Sequence, residues 1–164
     1  FLYEEEIDRL LEACDQSANK DLGIIVRICL ATGARWSEVQ DLKQSQVLPG
    51  RLTFTQTKSK KNRTVPISPQ LQEMLPKKRG SLFAPAYEAF KSALQRAGIE
   101  LPKGQCTHVL RHTFASHFMM RGGNILVLQQ ILTIMMTMRY AHFAPNHLDA
   151  AVALNPFDNR AEKN

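Results

Sequence analysis

Long apolar runs are missing from this sequence. The best candidate, Gly23–Ala31, is interrupted by Arg27 and falls well short of the ~20 residues a membrane-spanning helix needs, so no membrane partner is expected. Cysteine is scarce: Cys14, Cys29 and Cys106 are scattered and odd in number, with no Cys-x-x-Cys pair. That spacing indicates neither a zinc site nor a disulfide framework. Cys14 and Cys29 fall on apolar helical stripes and are expected as core thiols, in keeping with a reducing cytoplasm. No acidic cluster suited to Mg²⁺ and no phosphate-binding P-loop stand out. There is no secretory signal, internal repeat or low-complexity stretch. The chain opens on Phe1 rather than Met, which suggests a segment of a longer protein.

What is present fits one folded domain. The 164 residues suffice to bury a core, and a 44% hydrophobic share with 22% charged residues argues against disorder. Lys and Arg number 21 against 15 Asp and Glu, a net charge of +6, and the pI is about 9.4. A positive balance favours a polyanionic partner, most plausibly nucleic acid, though many basic domains bind nothing anionic. Asn62-Arg63-Thr64 matches a glycosylation sequon and is taken as chance.

Periodicity gives mostly helices. Ile7, Leu10, Leu11 and Cys14 predict an amphipathic helix over 4–14. Asn19 and Asp21 can cap a more apolar helix over Leu22–Leu30, which Thr32-Gly33 should end, and a short helix restarts near Ser37–Leu42. Alternation at Leu52, Phe54, Val65 and Ile67 predicts a hairpin of 51–57 and 63–67 around the basic loop Lys58–Asn62. Ser68-Pro69 opens a helix to about Leu75, Pro76–Gly80 is a basic loop, and Pro85–Ala97 is helical up to Gly98. Thr107 could cap the longest helix, with Leu110, Phe114, Phe118 and His117 on one face and Gly122-Gly123 at its end. Further helices are expected over Ile125–Leu132, Thr137–Ala141 and Asn146–Leu154, then a flexible tail at 158–164. The expected fold class is mainly α with a small antiparallel β-sheet.

Four segments could carry chemistry. His108 and Arg111 share a face at i and i+3 near a helix start, where free N–H groups and the dipole favour a phosphate; the same spacing also fits a surface histidine and a solvated arginine. Arg35 follows Gly33 at a helix-to-helix break and could offer its planar fork to two phosphate oxygens, or simply pair with Glu38; Trp36 beside it reads as packing. Lys58, Lys60, Lys61 and Arg63 are solvated hairpin charges or DNA-phosphate contacts, and one lysine at such a tip could donate a proton. Tyr140 is either a core tyrosine or a nucleophile, and with a free pKa near 10 the latter needs cations or a base beside it.

In this order, the segments "ATGARWSE", "TKSKKNRTVPIS", "THVLRHTFASHF" and "MTMRYAHFAP" resemble the catalytic domain of the tyrosine recombinases, above all temperate-phage integrases, from about Leu2 to Phe157. The resemblance implies that residues 1–157 form that domain. It makes Arg35 the first arginine of the Gly-x-Arg-x-x-Glu segment. Lys58, eight residues before Pro66, becomes the hairpin lysine, with Lys60 as its fallback. His108 and Arg111 form the His-x-x-Arg pair, and Tyr140 is the nucleophile. Lys60, Lys61 and Arg63 are candidate DNA contacts. The family places a Leu-Gly-His segment shortly before its tyrosine. Here Leu132 runs directly into Thr133-Ile134-Met135-Met136-Thr137. An omitted mobile loop is preferred over a true deletion. His112 and His142 are not drafted in its place; His112 is read as structural or supporting.

The resemblance implies DNA strand cleavage and rejoining through a covalent 3′-phosphotyrosine, without ATP or metal, in integration or excision of phage DNA. Arg35 and Arg111 would stabilise charge on the phosphate oxygens, Lys58 would protonate the leaving 5′-oxygen, and His108 would accept the tyrosine proton. Implied partners are double-stranded attachment-site DNA, a homodimer or homotetramer on that DNA, and accessory DNA-bending proteins, in the host bacterial cytoplasm. A helix at about 146–154, within the segment His147–Phe157, is a candidate for exchange between protomers. Two rivals remain. One is a type IB topoisomerase-like nicking-closing enzyme. The other is a non-catalytic helix-turn-helix DNA binder using Thr107–Leu132, which leaves Arg35 and Tyr140 without a role.

Overall fold

The computed structural model describes residues 1–55, 62–132 and 134–145. It is mainly helical with one three-stranded antiparallel sheet. Helix α1 (Glu4–Asp15) starts where Glu6 accepts a hydrogen bond from the Tyr3 N–H at 2.8 Å, and it buries Leu10, Ala13 and Cys14. Helix α2 (Leu22–Thr32) is buried along most of its length, through Leu22, Ile25, Val26, Ile28 and Cys29, because its apolar residues leave no polar face. Asp21 precedes it but caps nothing; its carboxylate accepts from the Ala84 N–H at 2.8 Å instead. Both predicted core thiols are buried, and burial raises their pKa values, that of Cys14 to about 12.

Gly33 ends α2 in the left-handed region at φ 67°, its N–H bonding to the Cys29 carbonyl. The chain then turns into α3 (Trp36–Gln40), so Arg35 stands at the N-cap. A Cβ at position 33 would lie 2.4 Å from the Phe114 ring. Gly33→Ala is therefore expected to lose about 2–4 kcal/mol, backbone strain and overlap adding together. Denaturant unfolding checks this, and a loss below about 0.5 kcal/mol would contradict the left-handed turn. Trp36 packs on Phe90, centroids 5.1 Å apart, as its packing role predicts.

After a 3₁₀ turn at Gln44–Gln46 come β1 (Val47–Leu48), β2 (Arg51–Phe54) and β3 (Arg63–Pro66), in spatial order β1-β2-β3. Leu52 pairs with Val65 and Phe54 with Arg63, putting Leu52, Phe54 and Val65 into the core. The hairpin lies where alternation predicts it; β1 was not expected. Two residues are too few to show a period, although Pro49-Gly50, with Gly50 at φ 72°, is a strong turn signal. The basic loop falls largely outside the described residues, and Lys58, Lys60 and Lys61 with it.

Helix α4 (Pro69–Met74) is capped by Ser68, whose hydroxyl accepts from the Leu71 N–H at 3.2 Å. Helix α5 (Tyr87–Arg96) buries Phe90, Ala93 and Leu94 and packs against α1. Helix α6 (His108–Met120) crosses α2. Its N-cap, Thr107, is already helical and makes no side-chain cap, contrary to expectation. His117 is held between the Leu2 carbonyl, 2.8 Å from Nε2, and Glu4.

Asn124 opens α7 (Ile125–Ile131) by accepting from the Leu126 N–H. Leu132 and Thr133 alone separate α7 from α8 (Ile134–Met138), and a 3₁₀ turn follows at Ala141–Phe143. The predicted helix at Thr137–Ala141 is thus corrected. The helix is α8, set three residues earlier, and Tyr140 lies in the turn after it, where its ring can join a second small core of Ala115, Met119, Leu128 and Leu132. The expected helix at 146–154 and the tail at 158–164 lie outside the described residues.

Candidate active site

The turn at Gly33 brings two distant arginines together. Arg111, on the first turn of α6, is only 3% exposed, and its Nη1 donates to the Gly33 carbonyl at 2.6 Å, two residues before Arg35. Its Nε is buried without a hydrogen-bond partner among the described residues. The Arg111 pKa falls to about 10, chiefly through burial, then through the cations of Arg35 and Arg63, against Glu38 and Tyr140. Arg111 still carries its charge at neutral pH, and the other four groups all lie within electrostatic reach of it.

Glu38 anchors this cluster. Its Oε2 accepts from the Arg35 N–H at 2.8 Å and from Arg63 Nη2 at 3.0 Å. Its Oε1 lies 3.6 Å from Arg35 Nη1, close enough for ion pairing but too long for a good hydrogen bond. The carboxylate is 5% exposed and Arg63 13%, with the Arg63 guanidinium 5.1 Å from the centroid of the Phe54 ring. Arg63 therefore turns inward onto Glu38, where the sequence suggested an outward DNA contact; its register opposite Phe54 aims it there. Three guanidinium groups thus face one carboxylate, an excess of two positive charges in a largely desolvated setting. Such a charge cluster suits a phosphodiester, whose transition state gains negative charge.

Tyr140 completes the arrangement. It is 5% exposed, and burial raises its pKa while Arg111 and Arg139 pull it back. Its hydroxyl is hydrogen-bonded to Nδ1 of His112, on the turn of α6 that carries Arg111. Burial first, then the Phe1 amino group, His108, Arg139 and Arg111, hold the His112 pKa below its usual value. His108 is exposed at the start of α6. The structure thus gathers Arg35, Arg111 and Tyr140, with His108 on the same face of α6. It adds Glu38 and His112, for which spacing gave little warning. The Glu38 pairing with Arg35 was visible as i, i+3; its grip on Arg63 and the contact of His112 with Tyr140 join residues far apart in sequence. No cluster of metal-ligating side chains occurs among the described residues.

The sequence matches the phage integrase family over residues 1–81 and 84–147. It is 71% identical over 165 residues to the integrase of Haemophilus phage HP1, covering 99% of this chain and 49% of that protein. The fold superposes on the catalytic domain of bacteriophage HP1 integrase with a TM-score of 0.93 at 72% identity, covering 97% and 96% of the two chains. It also matches XerH site-specific recombinase, solved in a pre-cleavage complex with its difH substrate, with a TM-score of 0.68 at 22% identity, over 93% of this chain and 53% of that one. A cluster of arginines facing a buried tyrosine, on this fold and with these matches, defines the class: the chain belongs to the phage integrase family. It spans about half the length of the relatives it matches.

Proposed function

We propose that residues 1–157 form the catalytic domain of a tyrosine-type site-specific DNA recombinase that integrates or excises phage DNA. The observation that carries this reading is the hydrogen bond from Arg111 to the Gly33 carbonyl, which sets two arginines beside one buried phenol. Tyr140 attacks the scissile phosphorus and forms a 3′-phosphotyrosine, releasing a 5′-hydroxyl. Arg35 and Arg111 hold the non-bridging oxygens through their planar forks and offset the charge that develops there. Lys58 protonates the leaving 5′-oxygen, since an alkoxide leaves poorly; Lys60 and Lys61 contact DNA phosphates. The phosphodiester bond energy stays in the phosphotyrosine, so the rejoining strand needs neither ATP nor another cofactor.

The partner is double-stranded attachment-site DNA, bound by two or four copies of the full protein with accessory DNA-bending proteins, in the cytoplasm of the bacterial host. Support comes from the net charge of +6 and from the DNA-bound recombinase of like fold. Among the described residues no helix is long and apolar enough to cross a membrane. The helix-turn-helix alternative would use α6 and α7 with no part for the Arg35 cluster.

A randomised library of nicked suicide duplexes tests the proposal. The nick frees a short oligonucleotide after cleavage, which traps any protein–DNA adduct. The expected outcome is a covalent adduct on a denaturing gel that mass spectrometry maps to Tyr140. DNA binding without an adduct would favour the helix-turn-helix reading. Nicking and closing without joining of two sites by the full protein would favour the topoisomerase reading.

A further inference from the structure

Among the described residues the hydroxyl of Tyr140 is hydrogen-bonded to His112, not to the histidine that the family resemblance put forward as proton acceptor. His108, at the start of α6, is exposed, whereas His112, one turn further along, meets Tyr140 Oη through Nδ1. At i and i+4 the two imidazoles share a face of α6, and Arg111 lies between them in sequence. The stretch between α7 and α8 contains no histidine, and His142 is exposed, its ring 4.1 Å from that of Phe143.

We infer that His112 accepts the Tyr140 proton during DNA cleavage and returns it during rejoining. The inference rests on the recombinase reading given above. The step balances as follows. The Tyr140 O–H bond breaks and its proton passes to His112 Nδ1, giving an imidazolium. The Tyr140 oxygen forms a bond to phosphorus, and the bond from phosphorus to the 5′-oxygen breaks. The electron pair leaves on that oxygen, which takes a proton from Lys58 or water. In the reverse direction the imidazolium reprotonates the departing phenoxide.

The surroundings suit the task. Facing His112 are His108 and Arg111 from α6, Arg139 and Tyr140 from the turn after α8, and the Phe1 amino group. Burial, with the Phe1 amino group and the two arginines adding to it, lowers the His112 pKa and so favours the neutral imidazole that can accept. A buried phenol, its own pKa raised, cannot ionise unaided at that pH, so an acceptor at the oxygen lowers the barrier by removing the proton as the bond to phosphorus forms. Acceptance requires the neutral tautomer with the proton on Nε2 and Nδ1 bare.

Two measurements decide the matter. The first is ¹⁵N NMR of the unmodified 164-residue chain. It is expected to show Nδ1 of His112 unprotonated at pH 7 and titrating below the ordinary histidine value. A proton on Nδ1 at neutral pH would make the imidazole a donor to the phenol and overturn the inference, whatever the cleavage assay shows. The second is the cleavage rate of His112→Gln on the duplex recovered from the library. A loss of about 10²-fold or more is expected, with DNA affinity unchanged. Wild-type cleavage should fall in acid, at a pH below the ordinary histidine value, as the imidazole gains its proton. In the variant this acid limb should disappear, and the rate should climb toward the pH of phenol ionisation. A 5′-bridging phosphorothiolate, whose sulfur leaves without a proton, should leave the variant's defect in place; relief by that substrate would assign His112 to the leaving group and overturn the inference. An equal rate and pH profile in variant and wild type would overturn it too, with the recombinase reading intact. Failure of the wild type to form any adduct would sink that reading instead, and the NMR result would still decide the tautomer.

Discussion

Tyr140→Phe is expected to abolish covalent attachment to DNA, cutting adduct formation by more than about 10⁴-fold, because it removes the attacking atom and leaves the rest of the ring in place. The ring packs in the second core against residues of α6 and α7, and phenylalanine keeps those contacts. The cost in stability is the lost hydrogen bond to His112, about 1 kcal/mol. DNA binding should therefore survive. Gel detection of the trapped adduct, run beside a binding titration and a denaturant melt, separates the outcomes. Residual adduct above about one part in 10³ would move the nucleophile elsewhere.

Arg111 carries the second large effect. Its guanidinium is buried, fixed to the Gly33 carbonyl and crowded by two further arginines. That is a preorganised donor set for charge that grows in the transition state. Arg111→Ala should lower the cleavage rate by about 10³-fold or more, with a much smaller effect on affinity for uncleaved DNA. Arg111→Lys should rescue little. An ammonium has no planar fork to reach both the Gly33 carbonyl and a phosphate oxygen. The environment that brings the arginine down to about 10 would also push a lysine, ordinarily near 10.4, toward losing its charge at working pH. Single-turnover cleavage at saturating protein, set against binding constants at matched salt, makes the comparison. Equal losses in binding and cleavage would reduce Arg111 to a phosphate-positioning contact.

Local chemistry made much of the scaffold legible. Apolar spacing marked α1, α2 and α6, a Ser-Pro start marked α4, and alternation marked β2 and β3. Each of these signals is carried by neighbours in the chain, which is why it survives without a fold. Where the signal was short it failed. Strand β1 has two residues, and α8 lies three residues before its expected place because a five-residue helix has too few turns to fix its own phase.

The site divides along the same line. Arg35, His108, Arg111 and Tyr140 stood out because helix breaks, i and i+3 spacing and the family resemblance all act along the chain. The inward turn of Arg63 onto Glu38 and the contact between His112 and Tyr140 did not. Those pairs are separated by 25 and 28 positions, and no local period links them.

The amino-acid sequence alone settled that this chain folds into helices with a small sheet, buries Cys14 and Cys29 and offers excess positive charge, since propensity, pattern and net charge are properties of residues and their near neighbours. Tertiary structure alone decided which cation touches which carboxylate and which imidazole meets the phenol. The register of β3 against β2 aims Arg63 at Glu38, the packing of α6 on α2 brings Arg111 to the Gly33 carbonyl, and the turn after α8 brings the Tyr140 hydroxyl to His112.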